Sequence, residues 1–253
     1  MRTKVRPYRL LARFYDQLQP DAPAMTRHAR ERVLGDLLTR ARVVCDVGCG
    51  TGVTAAALAR ERDRTVYAVD LSPEMCRRAR ARARSEGVRV RVLCQDVRRL
   101  RLPEPADLVL CEFNGLNHLP ARRDLVPALR AIARALRPGG HLMFDLNTSK
   151  THEKFGGSAH WFETRDFVLV LRGGHDARRR RAWLDVEWFL PRGRLWRRER
   201  ERVEEVAWSD AEVRRALRAA GFRDIVFHDG VDVRPTGVTM GPGYDAYYRA
   251  RRG

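Results

Sequence analysis

The chain of 253 residues contains no long apolar run. No stretch approaches the ~18 consecutive apolar residues that a membrane-spanning helix requires. The basic N-terminus also lacks the apolar segment of ~7–15 residues that marks a secretory signal peptide. We therefore expect a cytoplasmic protein without membrane association. Its length suits one α/β domain with an insertion or a small cap.

Cysteine is sparse and shows no metal-binding or redox pattern. The sequence has no Cys-x-x-Cys pair and no cluster of cysteine with histidine, the arrangements typical of zinc and redox sites. The five cysteines are Cys45, Cys49, Cys76, Cys94 and Cys111. We expect all five to be reduced, and the sequence predicts no metal site.

Lysine is nearly absent, although the chain is strongly basic. Only three of its 50 basic residues are lysines, and the formal net charge is +18. Any basic surface attracts polyanions. Many of the arginines, however, follow one another along predicted helix faces with no aromatic residue between them, as in residues 77–84. This pattern favours solvated helix surfaces over a nucleic-acid site and leaves weak RNA contact open.

Short apolar segments alternate with helix-forming segments over the first 150 residues. The predicted strands are 43–47, 65–69, 88–93, 106–111 and 140–145. The predicted helices between them are 52–61, 73–85 and 121–136, the last ended by Pro138-Gly139-Gly140. Such alternation requires parallel strands joined by crossover helices, which is a doubly wound, Rossmann-like α/β sheet.

The pattern changes after residue 150. Segments 159–172, 181–190 and 195–208 alternate aromatic or aliphatic residues with charges, and we predict three antiparallel strands there. A helix over 209–220 and strands over 223–228 and 244–250 follow. We therefore divide the chain into an N-terminal helical lid (1–40), a nucleotide-binding core (41–150), an antiparallel β insertion that caps the substrate (151–208) and a C-terminal part of the core sheet (209–253).

A glycine-rich turn follows the first predicted strand. Asp46 precedes Gly48, Gly50 and Gly52, so the spacing is Gly-x-Gly-x-Gly and not the Gly-x-Gly-x-x-Gly of dinucleotide sites. A strand that delivers a tight turn to a helix N-terminus is where α/β proteins hold nucleotides. With an acid before it, this turn suits a ligand that carries an amine and no phosphate, and we predict S-adenosylmethionine.

Acids also follow the next two predicted strands. Asp70 ends the second strand about 20 residues beyond the turn, where an adenosine ribose needs an acceptor for its hydroxyls. Asp70 as a helix cap is the alternative, although Ser72 before Pro73 makes the better cap. Asp96 follows the third strand, where it can accept the adenine amine while Val97 packs on the ring.

Four segments in chain order resemble the motifs of class I S-adenosylmethionine-dependent methyltransferases. They are 46–52, 70–75, 95–97 and 136–140, and the resemblance covers roughly residues 40–148. It implies a seven-stranded sheet whose last strand is antiparallel. It also implies a set of cofactor-binding residues: Asp46, Gly48, Cys49, Gly50, Gly52, Asp70, Leu71, Met75, Asp96, Val97 and Glu112.

The segment after the fourth strand separates the subfamilies. Residues 114–119 read Asn-Gly-Leu-Asn-His-Leu and lack the Asn/Asp-Pro-Pro-Tyr/Phe signature of enzymes that methylate base amines and protein glutamine. They are similar to the corresponding segments of glycine N-methyltransferases and aminosugar N,N-dimethyltransferases. Over the full length, the chain also resembles uncharacterised bacterial methyltransferases, and that resemblance implies no substrate.

Three residues are candidates for catalysis. His118 can accept the proton of an amine nucleophile, because imidazole titrates in the right range; a packed histidine at a helix start is the alternative. Glu112 is a second candidate base or a cofactor contact. Tyr15 resembles the N-terminal tyrosine that closes over the cofactor in relatives, with a core aromatic role as the alternative.

These observations favour a methyltransferase that acts on a nitrogen or oxygen of a small molecule, as a monomer or homodimer. Three alternatives remain open at this point. One is a tRNA- or RNA-modifying methyltransferase of the same fold. Another is an NAD-dependent oxidoreductase, which the glycine spacing and Asp46 disfavour. The third is a binding domain that has lost turnover.

Overall fold

The computed structural model describes residues 8–61, 63–233 and 242–253. The first seven residues of the predicted lid lie outside this set. The lid begins with helix α1 (Leu11–Leu18), followed by α2 (Ala22–Leu34) and α3 (Asp36–Arg40). The break between α2 and α3 falls at Gly35, whose φ of +51° lies in the left-handed region that glycine tolerates best.

The core begins with five strands and three crossover helices. The strands are β1 (Val43–Val47), β2 (Thr65–Asp70), β3 (Val90–Cys94), β4 (Ala106–Cys111) and β5 (Leu136–Asn147). The helices are α4 (Val53–Ala59), α5 (Pro73–Ser85) and α6 (Leu125–Ala135). Strand β5 begins four residues earlier than predicted. Pro138-Gly139-Gly140 forms an irregularity within β5, where the register against β4 shifts, and not a turn before the strand.

The insertion contains helix α7 (Ser149–Phe155) and a separate antiparallel sheet, which we call the insertion sheet. Its strands are β6 (Ala159–Glu163), β7 (Val168–Asp176), β8 (Arg181–Arg192) and β9 (Leu195–Val206), in that order. The prediction of three strands was wrong because segment 159–172 reverses direction at residues 164–167. There the Thr164 amide donates to the Phe167 carbonyl, and the Thr164 hydroxyl oxygen accepts the Phe167 amide.

The C-terminal segment completes the core sheet. It contains α8 (Asp210–Ala219), β10 (Phe222–Asp229), α9 (Gly230–Val233) and β11 (Asp245–Arg252). The order of the seven strands is β10-β11-β5-β4-β1-β2-β3, and β11 is antiparallel to both of its neighbours. The predicted Rossmann-like sheet with an antiparallel last strand and an inserted β sheet is therefore confirmed. No helix in the described part of the chain is long and apolar enough to cross a membrane.

Three apolar clusters hold these layers together. One face of the core sheet packs against α6 and α8, and the other packs against α2, α4 and α5. The third cluster joins α1 to the insertion sheet, since the Phe14 ring lies 4.5 Å from the Phe167 ring and 5.3 Å from the Trp188 ring. Because burial of a phenylalanine side chain contributes about 1.5–3 kcal/mol, the contacts of Phe14 stabilise the packing of α1 on the insertion sheet.

Candidate active site

The glycine loop, residues 48–52, connects β1 to α4. Gly48, Gly50 and Gly52 all have positive φ angles, of 69°, 53° and 81°. A Cβ atom at Gly52 would also lie 2.9 Å from the Ala79 Cβ on α5. Glycine is therefore required here both by backbone conformation and by close packing.

A cavity of about 230 Å³ opens between the glycine loop and the N-terminal helices. Six of the predicted site residues line it: Tyr15, Asp46, Gly48, Cys49, Gly50 and Glu112. The other seven lie outside its walls: Gly52, Asp70, Leu71, Met75, Asp96, Val97 and His118. The family resemblance assigns Asp46 and residues 48–52 to the methionine end of the cofactor, and the cavity brings these together apart from Gly52. Asp70, Asp96 and Val97, predicted for adenosine, lie outside it.

Asp46 lies at the end of β1 with 3% of its surface exposed. Its Oδ2 atom has no hydrogen-bond partner among the described residues. Burial, followed by the nearby Glu112 carboxyl, raises the pKa of Asp46 to about 8, against the lowering effect of the Arg30 guanidinium. A buried, unpartnered carboxyl oxygen in a cavity wall is costly unless a donor or a cation meets it, so Asp46 fits the ammonium of a bound amino acid.

Arg30 is a site residue that the sequence analysis missed. Its guanidinium lies 2.7 Å from Oε2 of Glu112, and both side chains are almost fully buried. The Thr54 hydroxyl donates to the same oxygen at 3.1 Å, while Oε1 has no partner in the described part of the chain. Burial raises the pKa of Glu112, although Arg30 and Thr54 oppose this. Glu112 therefore stands in the cavity wall as half of an ion pair, and its role as a base stays a prediction.

Asp70 connects the glycine loop to the turn after β2. Its Oδ2 accepts the Gly50 amide at 3.0 Å, and its Oδ1 accepts the Ser72 amide at 2.8 Å. Ser72, not Asp70, caps α5, since its side chain accepts the Met75 amide. Burial raises the pKa of Asp70. Since a carboxylate offers about four lone-pair positions, two remain for ribose hydroxyls. Leu71 beside it is 67% exposed, whereas Met75 is buried.

Asp96 already has a cationic partner. Its oxygens lie 2.6–3.0 Å from the Arg98 guanidinium, and Oδ1 also accepts the Arg98 amide. These hydrogen bonds lower the pKa of Asp96. Val97, partly buried, begins the short 3-10 helix that Asp96 caps. An adenine amine at this position would share the carboxylate with Arg98.

Asp16 fastens α1 to the glycine loop. Its Oδ1 accepts the Thr51 hydroxyl at 2.6 Å, and its Oδ2 accepts the Arg82 guanidinium at 2.5 Å. The neighbouring residue, Tyr15, lines the cavity. Burial, together with Asp70 and other acids nearby, raises the pKa of Tyr15 to about 12. Its hydroxyl is therefore a hydrogen-bond donor at neutral pH.

A second group of polar residues surrounds His118. The Nδ1 atom lies 3.2 Å from the Glu204 carbonyl oxygen, which can only accept, so Nδ1 carries the hydrogen. The Nε2 atom is then free to accept, and it lies 3.1 Å from the Tyr8 hydroxyl and 3.8 Å from the Glu205 carboxylate. The lone pair of Nε2 therefore faces Tyr8 of the lid and Glu205 of the insertion sheet, and the Tyr8 hydroxyl donates to it.

Glu205 is the central hydrogen-bond acceptor of this group of polar residues. Its carboxylate accepts hydrogen bonds from Asn114 at 2.7 Å, Asn147 at 3.0 Å and His152 at 2.8 Å. Burial raises its pKa, but the hydrogen bonds from His152 and Asn147 outweigh this effect, so the pKa is lowered and Glu205 is ionised. Glu205 gives no signal in the sequence, because it is one of several acids in the alternating charges of β9.

The turn after β4 positions His118. Phe113 and Asn114 both have positive φ angles, of 62° and 50°. Asparagine tolerates this conformation, whereas for a bulky residue such as Phe113 it is a true outlier. Asn117 is fully buried and pairs with the Asn147 backbone in both directions, at 3.0 Å each way. Asn117 therefore has a structural role that fixes the segment carrying His118.

Residues 44–140 match a family described as a methyltransferase domain. The chain is 27% identical over 232 residues to YqeM of Bacillus subtilis (strain 168), whose name assigns it provisionally to the methyltransferases; the alignment covers 90% of this chain and 92% of YqeM. It is 35% identical over 131 residues to a ubiquinone biosynthesis O-methyltransferase of Xylella fastidiosa (strain 9a5c). That alignment covers 49% of this chain and 51% of the relative, so the chain spans about half the relative's length.

Solved structures share the whole fold. An S-adenosylmethionine-dependent methyltransferase from Clostridium acetobutylicum ATCC 824 superimposes with a TM-score of 0.79 at 22% identity, covering 97% of this chain and 99% of that one. CalS10, an amino pentose methyltransferase from Micromonospora echinaspora solved with S-adenosylmethionine bound, gives a TM-score of 0.69 at 22% identity, with coverage of 90% and 91%. At this level of identity the likeness shows the fold.

Proposed function

We propose that this chain is a class I methyltransferase that methylates an amine nitrogen of a small molecule, a function that the methyltransferase domain match at residues 44–140 and the fold support. S-adenosylmethionine is the cofactor of this fold, and when bound it supplies an electrophilic methyl group. The observation that carries the proposal is the His118 imidazole, whose Nε2 accepts while its Nδ1 donates to the Glu204 carbonyl.

The residues around the cavity fit the cofactor. Oδ2 of Asp46, which has no hydrogen-bond partner in the described ranges, can accept the ammonium group of the cofactor. The glycine loop permits close approach of the ligand to the backbone. Asp70 has lone pairs left for the ribose, and the exposed Leu71 side chain offers an apolar surface beside it. We assign the methionine end to the cavity and the adenosine to the edge formed by Asp70, Asp96 and Val97.

The surroundings of His118 favour an amine over a carboxylate as the acceptor. An amine enters mostly protonated, and the ionised Glu205 carboxylate stabilises a cation at this position. His118 takes the proton, which frees the nitrogen lone pair for attack, a contribution of ~10²–10⁴-fold for a positioned base. Tyr15, protonated at neutral pH because burial raises its pKa to about 12, can donate a hydrogen bond to the acceptor. The Tyr8 hydroxyl donates to Nε2 of His118 until the amine takes its place.

The lid supplies the rest of the catalysis. The contacts of Asp16 with Thr51 and Arg82 hold α1 beside the glycine loop, where it forms one wall of the cavity. Holding two reactants in one geometry lowers a barrier by up to ~7–11 kcal/mol. CalS10, whose name describes an amino pentose methyltransferase, shares this fold, which is consistent with an amine acceptor.

Two measurements test the proposal. The protein is incubated with S-adenosylmethionine and matched panels of small amines and alcohols, and methylated products are detected by mass spectrometry. We expect products from the amine panel. Products from the alcohols alone would reassign the acceptor atom, as the O-methyltransferase relative allows. Methylation of tRNA, lost steeply as salt rises, would replace the small-molecule assignment by the RNA alternative.

A further inference from the structure

Two cysteines lie close together where β2 and β3 end. Cys94 is the last residue of β3, and its register partner is Asp70, the last residue of β2. Val90 and Val92 pack in the apolar cluster that includes α5, so Cys94, on the same side of the alternating strand, also faces α5. Cys76 lies near the start of that helix. The topology therefore brings the two cysteine side chains to one place.

The hydrogen bonds of the two thiols agree with this placement. The Cys76 thiol donates to the Asp70 carbonyl at 3.5 Å and, at 3.8 Å, to the carbonyl of Leu93, the residue before Cys94. The Cys94 thiol donates to the Leu71 carbonyl at 3.7 Å. Burial, followed by a hydrogen bond with the Cys94 side chain, raises the pKa of Cys76 to about 12. The two thiols therefore interact directly.

The two thiols differ in exposure. All five cysteines lie within the described ranges, where they are free, and Cys94 alone is exposed. Cys76 is fully buried. Free cysteine is among the most buried residue types, so an exposed cysteine beside a second thiol is unusual. A dissolved oxidant can reach Cys94 and not Cys76.

We propose that Cys94 and Cys76 form a modification site, at which hydrogen peroxide produces a reversible disulfide that weakens cofactor binding. In the first step the Cys94 sulfur attacks one peroxide oxygen. The S–O bond forms, the O–O bond breaks, and the leaving oxygen takes the thiol proton to become water, which leaves a sulfenic acid.

The second step joins the two sulfur atoms. The Cys76 sulfur attacks the Cys94 sulfur, the S–S bond forms, the S–O bond breaks, and the Cys76 proton leaves in a second water molecule. The thiol pair gives up two electrons in total, and the peroxide is reduced to two water molecules. Although Cys76 is mostly protonated at neutral pH, the high effective concentration of two groups held together by the fold favours this step.

The disulfide lies between the segments that we assign to adenosine. Asp70 and Leu71 immediately precede the start of α5, and Asp96 follows Cys94 by two residues. A disulfide holds its sulfur atoms ~2.05 Å apart, closer than two thiols in contact, so its formation pulls Cys94 from the Leu71 carbonyl and Cys76 from the Asp70 carbonyl. We expect the affinity for S-adenosylhomocysteine to fall by ~5–150-fold, the usual range for coupled sites. This effect rests on the cofactor assignment and not on the identity of the methyl acceptor.

Peroxide treatment of the reduced protein tests the pair. Peptide mapping without reductant locates disulfides, and calorimetry measures the affinity for S-adenosylhomocysteine. We expect a link between Cys76 and Cys94 within one chain, weaker binding, and reversal of both by dithiothreitol. Cys94→Ser, a change at an exposed position, should bind like the reduced wild type before and after peroxide. Cys76→Ala should stop at the sulfenic acid on Cys94, which dimedone traps.

Equilibrium linkage gives a second measurement. Because coupling is reciprocal, saturating S-adenosylhomocysteine should lower the disulfide fraction of the wild type in a buffer of reduced and oxidised dithiothreitol. Overoxidation of Cys94 without a link to Cys76, a link between two chains, or a disulfide that leaves the affinity unchanged would overturn this proposal alone. A reduced wild type that does not bind S-adenosylhomocysteine would overturn the cofactor assignment and this proposal with it.

Discussion

Arg30 and Glu112 form a buried ion pair of 2.7 Å beneath the cofactor cavity. Arg30 comes from the lid helix α2, and Glu112 follows the core strand β4, so the pair joins the two parts of the site. Removing one member of such a pair strands the other charge in a low-dielectric environment. The site is therefore coupled to the stability of the lid.

Replacement of Arg30 tests this coupling. We expect Arg30→Met to lower the free energy of unfolding by about 3–5 kcal/mol, because Glu112 loses its buried counter-charge. Arg32 lies exposed on the same helix, and Arg32→Met should change stability by no more than about 0.5 kcal/mol. Urea titrations of both variants give the comparison. Equal, small effects would show that the ion pair is dispensable.

The raised pKa of Asp46 predicts a pH dependence. The native state keeps the Asp46 proton up to a pKa of about 8, whereas the unfolded chain loses it near the ordinary value of 3.8. Between these values the native state holds more protons, so the contribution of Asp46 to stability falls as pH rises from about 4 to about 8. We expect Asp46→Asn to flatten the corresponding part of the stability profile. An unchanged profile would place the Asp46 pKa near its ordinary value.

The same residue predicts proton release on ligand binding. A ligand ammonium beside Asp46 favours the charged carboxylate, so binding of S-adenosylhomocysteine at pH 7 should release up to about one proton. Calorimetric titrations in two buffers with different ionisation enthalpies measure that number directly. The release should disappear in Asp46→Asn. Equal binding enthalpies in the two buffers for the wild type would show that Asp46 does not contact the ligand ammonium.

His118 and Glu205 should affect turnover and not cofactor binding. With an accepted amine, we expect His118→Ala to lower kcat by ~10²–10⁴-fold, while the affinity for S-adenosylhomocysteine stays unchanged. Glu205→Gln should give a smaller loss and move the pH profile of kcat, since the carboxylate contacts the histidine environment. Glu204→Gln is the matched control, because the Glu204 side chain is 55% exposed and pairs with Arg181, and only its backbone carbonyl contacts His118. Full turnover by the His118→Ala enzyme would show that His118 is not the base and has a structural role.

The sequence indicated the core better than the insertion. The alternation of apolar segments with helices predicts parallel strands, and the acids at their ends follow from that topology. Segment 159–172 was assigned to one strand because its aromatic and aliphatic residues run on without a glycine or proline. The reversal at 164–167 depends on the hydroxyl of Thr164, a turn signal weaker than either of those residues.

The site residues also differ in how far the sequence indicates them. Asp46, Asp70 and the glycine loop are local in sequence, so their pattern is visible there. Arg30, Asp16 and Glu205 act through partners 82, 35 and 53 positions away, namely Glu112, Thr51 and His152. One sequence carries no periodicity that links such distant positions. These contacts depend on how the lid and the insertion pack on the core.

The most direct test of the central claim is a calorimetric titration of the wild-type protein and of Asp70→Ala with S-adenosylhomocysteine. We predict saturable binding of one ligand to the wild type and none to the variant, because we assign the ribose hydroxyls to Asp70 and because its carboxylate also accepts the Gly50 amide. NAD should give no binding to either. Absence of S-adenosylhomocysteine binding to the folded wild type, or binding of NAD in its place, would contradict the account.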